Sequence, residues 1–346
     1  MARNRRQTAL TRSIQRALFR NQRAFRKTII GRILAFFDCI HIKLIRFDEV
    51  CSSRLRRDVW GIDDEEYHSS FRSQDGDVPL KAMGDLGYSG STFLTTSDCK
   101  FLVKSLPRHF EHSFFRTDLF EPYCNYMTAH PGSLLVRITD YLYAPYITFG
   151  SLVGTISAHH IVMENACYGK TEDCQWETYD LKPIDYFYPE RDLLPEQLVS
   201  AETMDKLADT FDDKIRITHT EYEDLKQTLN QDTGFLESAN AVDYSLFLIR
   251  YPASVQPAKT VGAKSAWREG VRSADGKWTY RAVLLDFFWA KHKLHAQAMT
   301  GLVQTFNVIG RMGPMSITTT AEEYAHKFLQ MVDGMIEIQE STPLGS

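Results

Sequence analysis

Apolar positions along this chain follow two rhythms, one helical and one alternating. Between residues 7 and 47, Leu10, Ile14, Leu18, Phe25, Ile29 and Leu34 recur near helical spacing with arginines between them. That pattern predicts one long amphipathic helix or two shorter ones. Asp63 to Glu66, ahead of Tyr67 to Phe71, place acids in the first turn of a second helix. Two short β-rich runs follow, Phe93–Thr96 and Phe101–Lys104, joined by Ser97 to Lys100 as a hairpin turn. Further helices are predicted over 111–129, 196–207 and 220–239. A last helix covers 320–338, with Thr320 as N-cap and Glu323 three residues on as its capping-box partner. Strands are predicted over 134–142, 160–164, 246–251 and 280–285, with the polar stretch 252–277 as a flexible excursion. No internal repeat occurs, and the order of elements predicts an α+β, two-lobed plan.

The 346 residues suit one two-lobed domain or two small ones, and 43% hydrophobic with 24% charged residues is an ordinary globular composition. The longest apolar stretch, Ile29 to Ile40, is too short to span a bilayer and is broken by Gly31, Arg32 and Asp38. Met1 to Asn4 precede no secretory core, and position 2 is not the glycine of a myristoylation signal. Six scattered cysteines without a Cys-x-x-Cys pair predict reduced thiols in a cytoplasmic setting, with neither a zinc site nor a disulfide framework. The net charge of −4 hides an asymmetry, because no acid occurs before Asp38 while Arg3, Arg5, Arg6, Arg12, Arg16, Arg20, Arg23, Arg26, Lys27 and Arg32 do. Such an end fits an anionic partner: a membrane surface, or the acidic body of the same chain. Residues 1–28 are read as a lipid or partner contact and 29–47 as packed on the domain; nucleic acid is disfavoured because aromatics do not interleave with the basic residues.

Three clusters carry candidate chemistry. Gly84 to Phe93 interleaves glycines with small hydroxyl residues, leaving backbone N–H groups free to approach phosphate oxygens, although glycine-rich turns between strands also occur without that role. Lys104 ends the second strand of the same hairpin, where a kinase-like lobe would use it to reach the α- and β-phosphates with a helix acid holding it; Glu111 is the first acid available and Asp118 the second. Val242-Asp243-Tyr244-Ser245-Leu246 and Val283-Leu284-Leu285-Asp286-Phe287 set aspartates at strand boundaries. Phosphoryl transfer needs one carboxylate near the attacking hydroxyl and another to hold Mg²⁺, whereas a lone aspartate at such a place is equally a cap or turn residue. Histidines at 109, 112, 159, 160, 292 and 295 show no metal-ligand spacing, and there is no nucleophile elbow for a hydrolase.

Five strings in order resemble the phosphatidylinositol phosphate kinase family over roughly residues 50–340. They are Tyr88-Ser89-Gly90-Ser91, Phe101-Leu102-Val103-Lys104, Tyr179-Asp180-Leu181-Lys182, Val242-Asp243-Tyr244-Ser245-Leu246 and Leu284-Leu285-Asp286. Lys104 to Arg108, Met163-Glu164-Asn165 and Trp289 to Leu294 look most like the branch that phosphorylates phosphatidylinositol 3-phosphate at the 5-position. The resemblance implies a two-lobed fold with an antiparallel sheet in each lobe. After the basic amphipathic helical segment over 1–47 that the spacing predicts, it implies a nucleotide-binding lobe over 48–165 and a catalytic and headgroup-binding lobe over 166–340. It implies ATP and Mg²⁺ as cofactors and a phosphoinositide lipid as partner, with peripheral membrane association. Gly87, Ser89, Gly90, Ser91 and Thr92 would cover the phosphates with Lys104, held by Glu111, and Met163, Glu164 and Asn165 would connect the lobes beside adenine. Lys182 would sit near the transferred phosphate, Asp243 would orient or deprotonate the inositol hydroxyl, and Asp286 would hold Mg²⁺. Lys291, His292 and Lys293 would face the headgroup.

The chain departs from the family pattern after Lys182, where Pro183-Ile184 stand in place of Gly-Ser and acids follow from Asp185 to Asp192. A catalytically inactive, kinase-shaped lipid- or protein-binding module is therefore the alternative to an active kinase. The sequence leaves the oligomeric state open.

Overall fold

Two units divide the chain, Met1–His112 with Arg137–Tyr168, and Ser113–Val136 with Gly169–Ser346. The computed structural model describes residues 2–19, 36, 41–72, 80–83, 91–152, 156–170, 175–183, 187–189, 209–260, 262, 265–290, 315–317 and 319–340.

The first unit opens with helix α1 (Ala2–Phe19), followed by β1 (Ile45–Phe47), α2 (Glu49–Arg54), α3 (Asp64–Ser70), β2 (Leu80–Met83), β3 (Phe93–Thr96) and β4 (Phe101–Ser105). Helix α4 (His109–Phe114) then runs through a π turn (Phe115–Leu119) into α5 (Phe120–Ala129). The first unit resumes with β5 (Ile138–Tyr143), the short α6 (Phe149–Leu152) and β6 (His159–Glu164). Its six strands form one sheet in the order β1-β5-β6-β4-β3-β2, antiparallel throughout. Residues 41–47 are therefore extended and not the end of a long helix. The apolar face of α1 (Ala9, Ile14, Ala17, Leu18) is buried, and Gln15 donates to the Phe71 carbonyl at 2.7 Å. The apolar stripe of this helix therefore packs within the protein, and Arg5, Arg12 and Arg16 on the opposite face are exposed.

One buried ion pair ties this unit together. Arg56, on the π turn after α2, reaches Asp140 on β5 at 2.7 Å with both side chains fully buried, and donates to the Thr139 carbonyl at 2.7 Å. The Tyr67 hydroxyl on α3 adds a 2.7 Å bond to the same carboxylate oxygen. Removing one partner would leave a charge in an apolar core, the situation with the largest penalty.

In the second unit, β7 (Glu177–Leu181), β8 (Phe187–Pro189), β9 (Ile215–Ile217), α7 (His219–Ser238), β10 (Ala241–Val242) and β11 (Ser245–Pro252) come first. Then follow α8 (Ala266–Glu269), β12 (Val271–Arg272), β13 (Trp278–Leu285), β14 (Trp289–Ala290), β15 (Met315–Ile317), α9 (Ala321–Met335) and β16 (Ile336–Ile338). The main sheet has the order β12-β13-β11-β7, again antiparallel. The Thr320–Glu323 capping box starts α9 as the sequence predicts, and Thr218 with Glu221 forms another on α7. The flexible excursion expected over 252–277 is instead a built element over its described part. Trp267 and Arg268 are buried, Arg268 donates to the carbonyls of Ser133 and Leu135 at 2.8 and 2.5 Å, and Gly270 has φ 128 with no room for a Cβ beside Thr279 and Tyr251. The helix predicted over 196–207 lies outside the described residues. Cys99 is an exposed free thiol.

Two stability predictions follow from the first unit. Arg56→Leu should cost about 3–5 kcal/mol, read as a fall in the first thermal transition of the full chain; an unchanged transition would mean that the pair is dispensable. His160, on β6, is buried with both ring nitrogens unpartnered among the described residues, and burial lowers its pKa to about 4. The unfolded chain takes up that proton below about pH 6.5 and the folded one does not, so stability present above that pH is lost as the pH falls towards 4. The loss should approach about 3 kcal/mol and shrink in His160→Phe, measured as thermal midpoint against pH.

Candidate active site

The site in the second unit is built where a two-stranded ladder parts and closes again. β11 and β13 pair continuously from Pro252↔Trp278 to Ser245↔Leu285, and β10 pairs with β14 through Ala241↔Ala290 and Val242↔Trp289. Between these ladders lie Asp243 and Tyr244 on one strand and Asp286, Phe287 and Phe288 on the other. Asp243 has φ 65 and Asp286 φ 62, so both aspartates occupy the left-handed region. Asp and Asn tolerate that region better than other non-glycine residues, and such conformations concentrate at functional sites.

Aromatic neighbours fix the break from both sides. Tyr244 is fully buried, with its ring edge-on to Tyr324 at 4.6 Å and Phe328 at 5.0 Å on α9, and its carbonyl accepts from the Tyr324 hydroxyl. Phe287 stacks on Tyr123 of α5 at 6.0 Å, and Phe288 meets Phe115 edge-on at 5.3 Å. The backbone at the break is thus held by packing on both sides.

β7 brings the cation. Leu181 pairs with Leu246, so Lys182 leaves the ladder beside Ser245, and its Nζ lies 2.9 Å from Asp243 Oδ1. Burial alone would lower the ammonium's pKa, but Asp243, with Asp180 and Asp286 nearby, more than reverses this and holds it above its ordinary value. Asp180, two residues before Lys182 and so on the same face of the strand, is pushed above the usual aspartate range by burial first and the Asp286 carboxylate second. The Ser245 hydroxyl faces it, yet neither Ser245 Oγ nor Asp180 Oδ1 completes a hydrogen bond among the described residues. Asp180 and Ser245 are the residues the sequence reading left without a role. The signal was period two: each lies two positions from a singled-out residue.

Asp180, Asp243 and Asp286 gather around Lys182, and the buried Asp180 Oδ1, without a hydrogen bond among the described residues, is a ready ligand. This set fits a divalent cation. Mg²⁺ takes one or two carboxylates and completes its shell with water and phosphate oxygens.

The remaining expected site residues lie in the first unit or outside the described residues. Lys104 is buried on β4, paired with Phe93 and Ile161, its ammonium 5.5 Å from the Phe93 ring centre. Thr92 is tied to Ser105, its N–H donating to the Ser105 hydroxyl at 2.8 Å, and the preceding Ser91 is buried. Glu111 is buried on α4, 3.7 Å from the Arg108 guanidinium. Met163 and Glu164 end β6, with Glu164 accepting from the Arg137 N–H at 2.9 Å, and Asn165 donates to the Cys99 carbonyl at 2.7 Å. Gly87, Ser89, Gly90, Lys291, His292 and Lys293 lie outside the described residues.

Asp180→Asn tests the electrostatic reading. Because the folded-state pKa is raised, the ionised carboxylate destabilises the fold at neutral pH, and the penalty disappears as the pH falls below the ordinary aspartate range. The variant should be more stable than wild type by about 0.5–2 kcal/mol near pH 8, with the difference gone near pH 4, in paired thermal scans. A variant less stable than wild type at pH 8 would show that Asp180 is a structural acceptor instead.

The family described as Phosphatidylinositol-4-phosphate 5-Kinase matches residues 74–265, a stretch that includes Lys104, Asp180, Lys182 and Asp243 and stops short of Asp286. Human phosphatidylinositol 4-phosphate 5-kinase type-1 beta is 31% identical over 198 residues, covering 56% of this chain and 33% of the relative. Its chicken (Gallus gallus) counterpart is also 31% identical over 198 residues, with the same coverage. A probable phosphatidylinositol phosphate kinase of Dictyostelium discoideum is 26% identical over 220 residues, covering 60% of this chain and 28% of the relative. The matched stretch spans about a third of the length of these curated relatives. With more than half of its residues matched and the α+β fold of antiparallel sheets in place, the chain belongs to the phosphatidylinositol-4-phosphate 5-kinase family.

Proposed function

We propose that this chain is a lipid kinase that transfers the γ-phosphate of ATP to the inositol ring of a phosphatidylinositol monophosphate, giving a bisphosphate. The observation that carries the reading is the opened ladder, which holds Asp243 and Asp286 in left-handed backbone around Lys182. Asp243 orients the inositol hydroxyl and accepts its proton. Lys182, kept protonated by its carboxylate neighbours, neutralises charge on the transferred phosphoryl group and holds Asp243 in place. Asp286, with Asp180 Oδ1 as the nearby unpartnered oxygen, would hold Mg²⁺, which when bound neutralises the β- and γ-phosphate oxygens. Gly87 to Thr92 and Lys104 contact the nucleotide phosphates, Glu111 steadies Lys104, and Met163 to Asn165 border adenine. Lys291, His292 and Lys293 meet the headgroup.

The substrate is presented in a membrane, so the protein works as a peripheral enzyme on a cytoplasmic face. Among the described residues no helix is long and apolar enough to cross a bilayer. The strings at Lys104–Arg108, Met163–Asn165 and Trp289–Leu294 favour phosphatidylinositol 3-phosphate as acceptor, whereas the named relatives carry the 4-phosphate in their titles. A second reading, a lipid- or protein-binding module without turnover, rests on Pro183 in place of the family glycine.

The decisive assay is transfer of labelled phosphate from ATP to vesicles carrying each phosphatidylinositol monophosphate in turn. Wild type should label one isomer. Asp243→Asn should slow the transfer about 10²- to 10⁴-fold, and Asp286→Asn should abolish it. Asparagine is the clean replacement because it tolerates the left-handed backbone that alanine resists. Labelling that survives in Asp286→Asn would sink the assigned roles. Vesicle binding without labelling of any isomer would favour the second reading.

A further inference from the structure

The loop between β5 and β6, residues 144–158, contains no charged residue in a chain that is 24% charged. Its tip nevertheless faces solvent: Ile147 is 69% exposed, Leu152 62% and Phe149 42%. Half of the exposed large hydrophobics among the described residues lie in these six positions, the others being Phe19, Val50 and Ile338. Isolated exposed apolar residues need no explanation, but a cluster marks a contact surface.

The tip is built to stay outward. The Ala144 N–H donates to the Ala158 carbonyl at 2.8 Å and closes the base. Thr148 and Ser151 exchange backbone-to-hydroxyl bonds at 2.9 and 3.1 Å, fixing the turn that starts α6. A partner therefore meets a preformed apolar tip and does not have to order it.

The sheet register shows what surrounds it. Tyr143 pairs with both Ile45 and His159, Ser105 with His160, and Phe93 with both Lys104 and Met83. The loop therefore leaves the sheet at the end where residues 41–44 enter β1, where β4 runs out into 106–110, and where β2 and β3 flank the glycine-rich segment. Helix α1 is fixed at this same end, its Ser13 hydroxyl donating to the Ile42 carbonyl and accepting from the Leu44 N–H. None of the segments 2–19, 41–44, 106–110 and 144–158 contains an acidic residue. Arg5, Arg12, Arg16 and His41 on them are exposed, while Arg108 is engaged by Glu111.

An uncharged apolar tip within a basic surround matches an anionic phospholipid bilayer: the tip enters the interfacial region while the cations meet lipid phosphates. We propose that the apolar tip over residues 147–152, backed by the arginine face of α1, seats the first unit on an anionic bilayer. The proposal rests on the lipid-kinase reading for its occupant.

The test is co-sedimentation of the full chain with phosphatidylcholine vesicles containing phosphatidylserine, without ATP or phosphoinositide. Wild type should bind, and vesicles of phosphatidylcholine alone should bind it more weakly. The double variant Ile147→Ser/Leu152→Ser, with an unchanged thermal midpoint, should lose affinity by about tenfold or more. Val50→Ser should behave as wild type, since Val50 is 80% exposed but follows β1 at the opposite end of the sheet. Equal binding by double variant and wild type overturns the proposal, as does an equal loss in Val50→Ser. Unchanged vesicle binding with a change in oligomeric state by sedimentation velocity also overturns it, in favour of a second copy as occupant. Turnover is not read, so an inactive protein can pass this test. An enzyme active on a soluble inositol phosphate headgroup can fail it.

Discussion

A pair of strands must separate, over two residues on one side and three on the other, and pair again one residue out of register, and the candidate site depends on that. Were β10–β11 and β13–β14 uninterrupted hairpin arms, Asp243 and Asp286 would alternate in and out of a flat ladder, and neither could turn towards Lys182. The left-handed φ at both residues breaks the alternation at one level on both strands. Pairing on either side of the break restores the backbone hydrogen bonds, so the opening costs only the few groups within it. Tyr244 held by α9, and Phe287 and Phe288 held by the α4–α5 chain, supply the packing that over-determines the strained backbone. Helices far apart in sequence thus serve the same short gap.

Charge is arranged differently in the two units. In the first, Arg56 and Asp140 are paired inside the core, and Tyr67 donates to the same carboxylate oxygen that Arg56 meets, while the other Asp140 oxygen has no hydrogen bond among the described residues. That network joins α3, the π turn and β5. In the second, Asp180, Asp243 and Asp286 gather around Lys182 where two ladders part, on left-handed backbone at Asp243 and Asp286. Buried polar atoms without a hydrogen bond occur in both units, so it is the backbone break and the gathering of like charges, not satisfaction alone, that sets the second cluster apart.

Much of this was legible in the sequence where local physics decides. The Thr320–Glu323 box, the β3–β4 hairpin and the apolar runs that became β11 and β13 follow from capping, turn chemistry and alternation. The fate of α1 did not, because an amphipathic helix shows its apolar stripe equally to lipid or to its own domain; Ser13 and Gln15 settle it through partners 29 and 56 residues away. The segment 252–277 read as loose because it is polar, yet the partners of Arg268 are carbonyls more than 130 residues earlier. Asp243 and Asp286 stood out as strand-boundary aspartates. That both lie at the same level of one ladder is a matter of register, which no single strand contains.

Pro183 bears on whether the family's change of residue after Lys182 disables the site. The last ladder pair of β7 is Leu181↔Leu246, and β7 is the edge strand of its sheet. A proline two positions beyond that pair removes no sheet hydrogen bond, which is where edge strands accept proline. Its ring also biases the preceding residue towards extended backbone, and that residue is Lys182. Extension carries the lysine straight off the strand end to Asp243, 2.9 Å away. Glycine would leave the same path available among many others, while proline narrows the choice to it. The substitution is thus compatible with a held Lys182–Asp243 pair, and its consequences fall on the residues that follow.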